Sequence, residues 1–165
     1  MARLSEVVFE NLKELMKAKN AAHESMFKFH WKKLWPFNLI WPQVDYVRIV
    51  RFMGTLSDEC EKQKAFIRAE RAKADKAELE FLDSVLPYLD ALKVSCAKLA
   101  AAAEFKQDLL LKKIHHEARA IREAKRYNEI LKAYEEAQAN LVRAGAFVRV
   151  NWGFLKQASA PEGAN

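Results

Sequence analysis

Glycine, proline and cysteine are all scarce in this chain. Its 165 residues include only 4 Gly, 4 Pro and 2 Cys. So few turn-forming residues argue against an all-β fold built on tight turns. Ala, Lys, Glu and Leu are abundant and 30% of the residues are charged, a composition that favours long helices. We therefore predict an all-α fold, with long helices in an antiparallel helical hairpin or an irregular bundle and no sheet.

Sequence motifs for catalysis and for metal or cofactor binding are also missing. The chain has no Gly-x-Ser-x-Gly motif, no phosphate-binding loop and no Glu-x-x-His pair of the di-iron bundles. His115 and His116 are adjacent, so on a helix they diverge by about 100° and cannot easily chelate one ion. Cys60 and Cys96 are too far apart for paired zinc ligands, and we expect two buried, reduced thiols. The sequence predicts no enzyme, no cofactor and no metal site.

The sequence also lacks long apolar runs. No window approaches 18 apolar residues, so no segment is expected to span a bilayer. Glu6 and Glu10 interrupt the N-terminal region, which argues against a secretory leader. The net charge of +6 is spread along the chain. We expect an intracellular protein, and our specific hypothesis is peripheral attachment to the mitochondrial inner membrane.

The helical pattern divides one predicted domain, 1–165, into four parts. These are an N-terminal amphipathic helix (4–33), an aromatic elbow bounded by proline (34–42), long charged helices (43–145) and a C-terminal apolar coda with a polar tail (146–165). Ser5 is the predicted N-cap of the first helix, and Gly145 is the predicted end of the last.

The division of the long charged region into helices stays open at this stage. Capping-box spacing after Asp75 indicates a turn near Lys73–Asp75, and a continuous helix is the alternative. The stretch 88–144 has neither Pro nor Gly. As one helix it would span roughly 85 Å, so it either projects from the domain or breaks near Ala102–Lys106.

The segment around the elbow combines large aromatic side chains with lysines and has no acidic residue between 26 and 42. Tryptophan and lysine suit a membrane interface, and the same rings suit an apolar socket in a partner protein. The alternatives are a core cap made by the same rings and, less favoured, stacking on nucleic-acid bases. The residues predicted to contact membrane or partner are Phe27, Phe29, Trp31, Lys32, Lys33, Trp35, Phe37 and Trp41.

Two further groups of residues are predicted to make contacts. The coda is too apolar for a free tail, so Phe147, Trp152 and Phe154 should pack onto the bundle or into another subunit. Arg119, Arg122, Lys125 and Arg126 form a basic stripe. That stripe is either a solubilising face or a docking surface for an acidic partner or RNA.

These observations favour a non-catalytic structural or accessory subunit of a large multiprotein complex. The aromatic elbow places it beside a membrane, as in an accessory subunit of a respiratory-chain complex or an ATP synthase. The expected partners are other protein subunits and membrane-interface lipid. The first alternative is a basic helical protein associated with RNA or the ribosome, and the second is a coiled-coil adaptor that binds through the stripe Leu89–Leu110.

Overall fold

The computed structural model describes residues 3–27, 44–111 and 117–158. Four helices account for nearly all of them: α1 (Leu4–Phe27), α2 (Tyr46–Glu70), α3 (Lys76–Leu111) and α4 (Glu117–Ala158). A short 3-10 turn, Arg71–Lys73, joins α2 to α3. No strand occurs in the described ranges, and the all-α prediction is confirmed.

Helices that follow one another in the chain run antiparallel, and the most extensive interfaces join α3 to α2 and to α4. Lys64 on α2 pairs with Asp90 on α3, and Arg71 pairs with Asp83. As the chain advances from Lys64 to Arg71, its partner on α3 moves back from Asp90 to Asp83, as in an antiparallel hairpin. α1 lies against α2 and α3, parallel to α3, and reaches α4 through side chains.

The core follows the apolar spacing of each helix. Burial removes apolar surface from water and stabilises the bundle by about 25 cal/mol per Å². The central residues, all almost fully buried, are Val8, Met53, Cys60, Ile67, Phe81, Leu82, Val85, Leu89, Leu92, Cys96, Leu99, Ala102, Ala103 and Leu141. The described part of the stripe that begins at Leu89 thus packs inside the chain.

The start of α3 confirms the predicted turn at Lys73–Asp75. The Asp75 carboxylate accepts a hydrogen bond from the Glu78 backbone N–H at 2.8 Å, which caps the helix. The Glu78 side chain does not complete the capping box and instead accepts the Ser5 hydroxyl at 2.7 Å. Ser5 lies inside the first turn of α1 and ties it to α3, so its prediction as an N-cap was wrong.

Two helices cover the described part of the long stretch 88–144, with α3 ending at Leu111 and α4 beginning at Glu117. The predicted break near Ala102–Lys106 was wrong, because α3 continues through that point. Ala102, Ala103 and Phe105 are buried there, so the packing of their side chains favours an unbroken helix. Pro87 lies within α3.

Gly145 does not end the last helix, and the prediction of a separate coda after it was also wrong. α4 runs through Gly145 to Ala158. A Cβ at Gly145 would stand 3.2 Å from the Tyr88 ring, so glycine here permits the close approach of α3. Val148 and Leu155 continue the buried face of α4 beyond it.

Both cysteine thiols are buried and unpaired. Burial raises the pKa of Cys60 to about 12 and that of Cys96 to about 11. Since the thiolate is the reactive form, we expect both to react with an aromatic disulfide reagent far more slowly in the native protein than in denaturant. Timed thiol titration in both states measures this, and rapid native labelling of either cysteine would contradict it.

Candidate functional site

The C-terminal half of α4 is apolar on two separate sides. Its inner side carries Leu141, Val148 and Leu155, which are buried and spaced seven residues apart. Its outer side carries Phe147, Val150 and Phe154, which are 69%, 54% and 64% exposed. A helix that is apolar on both sides is typical of one buried on both sides. We call Phe147, Val150 and Phe154 the outer face.

Trp152 anchors this half of α4 to the bundle. Its ring stacks on Phe9 of α1 with centroids 4.2 Å apart and lies 5.3 Å from the ring of Phe81 of α3. The Lys156 ammonium pairs with Glu6 at 3.0 Å and lowers the pKa of that carboxyl. Of the three residues predicted to dock, Trp152 therefore packs within the chain, whereas Phe147 and Phe154 face outward.

The part of α4 that carries the outer face has no acidic side chain. The sequence has no acidic residue between Glu136 and Glu162. Arg143, Arg149 and Lys156 lie in the same part of α4. Two copies of this face would bring like charges together, so its charge suits a neutral or acidic partner.

The predicted basic stripe lies near the other end of α4. Arg122, Lys125 and Arg126 are exposed, and the side chain of Arg119 lies outside the described set. The Arg126 guanidinium sits 5.5 Å from the Phe105 ring centre, and the Lys106 ammonium sits 4.2 Å from that of Tyr127. The two rings stack on each other, with centroids 5.4 Å apart. The aromatic surface beside the stripe is thus covered by the protein's own cations.

Phe27 is the one member of the predicted membrane or partner contact that the structure describes. It is half-buried, and its ring stacks on Tyr134 of α4 with centroids 5.9 Å apart. This residue packs against the bundle and does not point away from it. The other seven, Phe29, Trp31, Lys32, Lys33, Trp35, Phe37 and Trp41, lie outside the described residues, as does the elbow itself.

A polar cluster inside the bundle escaped the sequence analysis. Lys19 is completely buried, and its ammonium donates to Gln138. Gln138 also accepts the Ser95 hydroxyl at 2.9 Å. The Lys19 ammonium lies 5.4 Å from the centre of the Tyr134 ring. Tyr134 in turn shares a 2.7 Å hydrogen bond with His23 Nδ1.

The environment of the cluster shifts its titrations. Burial lowers the pKa of Lys19 to about 8, since the charged ammonium loses its hydration. Burial and the nearby Lys19 also lower the pKa of His23. Among the described residues, no carboxylate contacts the Lys19 ammonium. The sequence did contain a sign that Lys19 is buried. Ser5, Leu12, Lys19 and Met26 recur every seven residues on one buried face of α1.

The described residues hold no group of three His, Cys, Asp or Glu side chains able to bind a metal ion. Within the same ranges, no helix is both long and apolar enough to cross a membrane. Comparison with protein-family models, curated proteins and solved structures finds no match to this chain.

Proposed function

We propose that this chain is a non-catalytic structural subunit of a multiprotein complex, seated beside a membrane. The outer face of α4 is the observation that carries the proposal. Phe147, Val150 and Phe154 align on a helix that is already packed into the bundle by a separate apolar side. Clustered exposed apolar side chains of this size are characteristic of protein interaction surfaces.

The membrane part of the proposal draws on the sequence between Phe27 and Trp41. Three tryptophans and several lysines stand there without an acidic residue. Tryptophan prefers the headgroup region, and lysine pairs with anionic lipid phosphates. An accessory subunit of a respiratory-chain complex or an ATP synthase, attached peripherally to the mitochondrial inner membrane, is the specific form we propose.

A native-gel experiment tests the proposal. Tagged protein, gently solubilised, should migrate with a large complex that mass spectrometry identifies. The double variant Phe147→Ser/Phe154→Ser should leave that complex with at least about a tenfold loss of association, since buried aromatic anchors dominate interface energies.

The matched control is Phe52→Ser/Phe66→Ser, which alters two phenylalanines on α2 that are 39% and 40% exposed. That variant should remain in the complex. A wild-type chain recovered only as a free 19.0 kDa species would refute the proposal. So would a Phe147/Phe154 double variant that comigrates as the control does.

Association with RNA or the ribosome is the second candidate. The exposed cations of the basic stripe, Arg122 and Lys125, favour it. Phosphate contacts would make the affinity fall steeply with salt concentration, whereas an apolar docking face would be far less sensitive. Comigration with ribosomal particles that salt disrupts would therefore favour this candidate.

A further inference from the structure

A groove of about 660 Å³ runs between α1 and α4. These two helices meet mainly through long side chains, so the space between their backbones is only partly filled. Its floor is apolar and is formed by Leu12 and Met16 of α1, Tyr88 of α3, and Leu141 and Val148 of α4. Methionine adapts its shape readily to a bound apolar group.

Contacts between α1 and α4 flank the groove. Near one end Phe9 stacks on Trp152 at 4.2 Å. Near the other end His23 bonds to Tyr134 at 2.7 Å. Phe9 and His23 are fourteen positions apart on α1, so the groove is about 21 Å long. The space opens sideways to solvent.

The size and the lining of the groove suit a small-molecule ligand. Small-molecule sites commonly measure about 300–1,000 Å³ and have mostly apolar linings, which this groove matches. A single alkyl chain fits both the shape and the lining.

Cations stand at the mouth of the groove between its Phe9 end and its middle. Arg149 comes from α4 and Lys13 and Lys17 come from α1. In the described part of the chain no carboxylate pairs with Arg149. Lys13 pairs with Glu10 at 2.7 Å and Lys17 with Glu14 at 3.9 Å. Both are exposed ion pairs of a kind that contributes little to stability, so their lysines can turn toward an anion.

The acidic member of the lining is Glu24, which belongs to the opposite end of the groove. The groove thus has positive charge toward one end and a carboxylate at the other. From this geometry we propose that it binds a single-chain amphiphile with an anionic head. The alkyl chain lies on the floor between Leu12 and Val148, and the head contacts Arg149 and Lys13.

Isothermal titration calorimetry tests this with three twelve-carbon probes, the two anions below their micellar concentrations and the alcohol below its solubility limit. Dodecanoate and dodecyl phosphate should each bind one molecule per chain. Dodecanol, which lacks the charge, should bind at least about tenfold more weakly. The tighter of the two anions identifies the head group as carboxylate or phosphate.

Variants locate the bound probe. Arg149→Glu should weaken binding of both anions about tenfold or more, and Met16→Trp should fill the groove and abolish it. Arg143→Glu makes the same charge change on α4 outside the lining and should leave the affinity within about twofold. If circular dichroism shows that Met16→Trp does not fold, the comparison of Arg149→Glu with Arg143→Glu still tests where the probe binds.

Several results would overturn the proposal. These are no saturable binding, equal affinity for dodecanol, or equal losses in the Arg149 and Arg143 variants. Sedimentation gives an independent check on the groove. A ligand-free dimer that Met16→Trp converts to monomer would mean that a second copy occupies the groove, and it would refute the lipid-like ligand.

Discussion

Replacing Phe81 by alanine is expected to lower the free energy of unfolding by about 3–5 kcal/mol. The Phe81 ring is fully buried. It lies 6.4 Å from the ring of Phe9 and 5.3 Å from that of Trp152, so it joins α3 to both α1 and α4. Removing it leaves a cavity where three helices meet. Urea unfolding followed by circular dichroism measures the change.

Phe154→Ala is the matched control, because it makes the same substitution at a side chain that is 64% exposed. The isolated chain should change by no more than about 0.5 kcal/mol. A large loss in this variant would contradict the orientation of α4, because it would place Phe154 in the core. A small loss at Phe81 would contradict the packing of α1 and α4 around it.

The second large effect is a pH dependence that originates at Lys19. Its pKa is about 8 in the folded chain and near 10.5 when unfolded. Between these values the unfolded state binds more protons, so stability rises with pH. Below about pH 8 the full destabilisation is present, and it vanishes above about pH 10.5.

Lys19→Met removes this titration. At pH 7 the variant should be more stable than the wild type, since a buried apolar side chain avoids the desolvation of an ammonium. Its advantage should shrink by about 2 kcal/mol between about pH 7 and pH 9.5. Cys96 stays protonated in the fold over this range, because its pKa is raised to about 11. Chemical denaturation at several pH values measures the difference.

Lys17→Met serves as the control, because Lys17 lies one half-turn earlier on α1 with its side chain 78% exposed. Its stability difference from the wild type should stay constant over the same pH range. An advantage of Lys19→Met that does not depend on pH would show that the ammonium is hydrated in the folded protein.

Periodicity predicted much of the helical content because helix formation is governed by nearby residues. The apolar spacing in the region of α2 and the capping residue Asp75 indicated the helix and the turn that the structure shows. Predictions at Gly145 and at Ala102–Lys106 failed for a different reason. The buried faces of α3 and α4 continue through those points, and the contacts that bury them come from distant parts of the chain.

The surfaces were harder to predict than the helices. The sequence marked Phe147, Trp152 and Phe154 together as docking residues, yet Trp152 packs on Phe9 and the other two face outward. The environments of these three residues differ only because they point in different directions around α4 and because α1 packs on one side of it. Neither the groove nor the buried environment of Lys19 could be derived until the helices were placed.

Composition and spacing by themselves determined that this protein is helical, with short-range signals locating α2 and its turn into α3. Only the tertiary structure decided which side of α4 stays exposed, that no carboxylate of the described residues contacts the buried Lys19, and that α1 and α4 leave a groove between them. The physical reason is the distance along the chain over which each kind of interaction acts. Helix propensity and capping act within a few residues, whereas burial depends on which helices pack together.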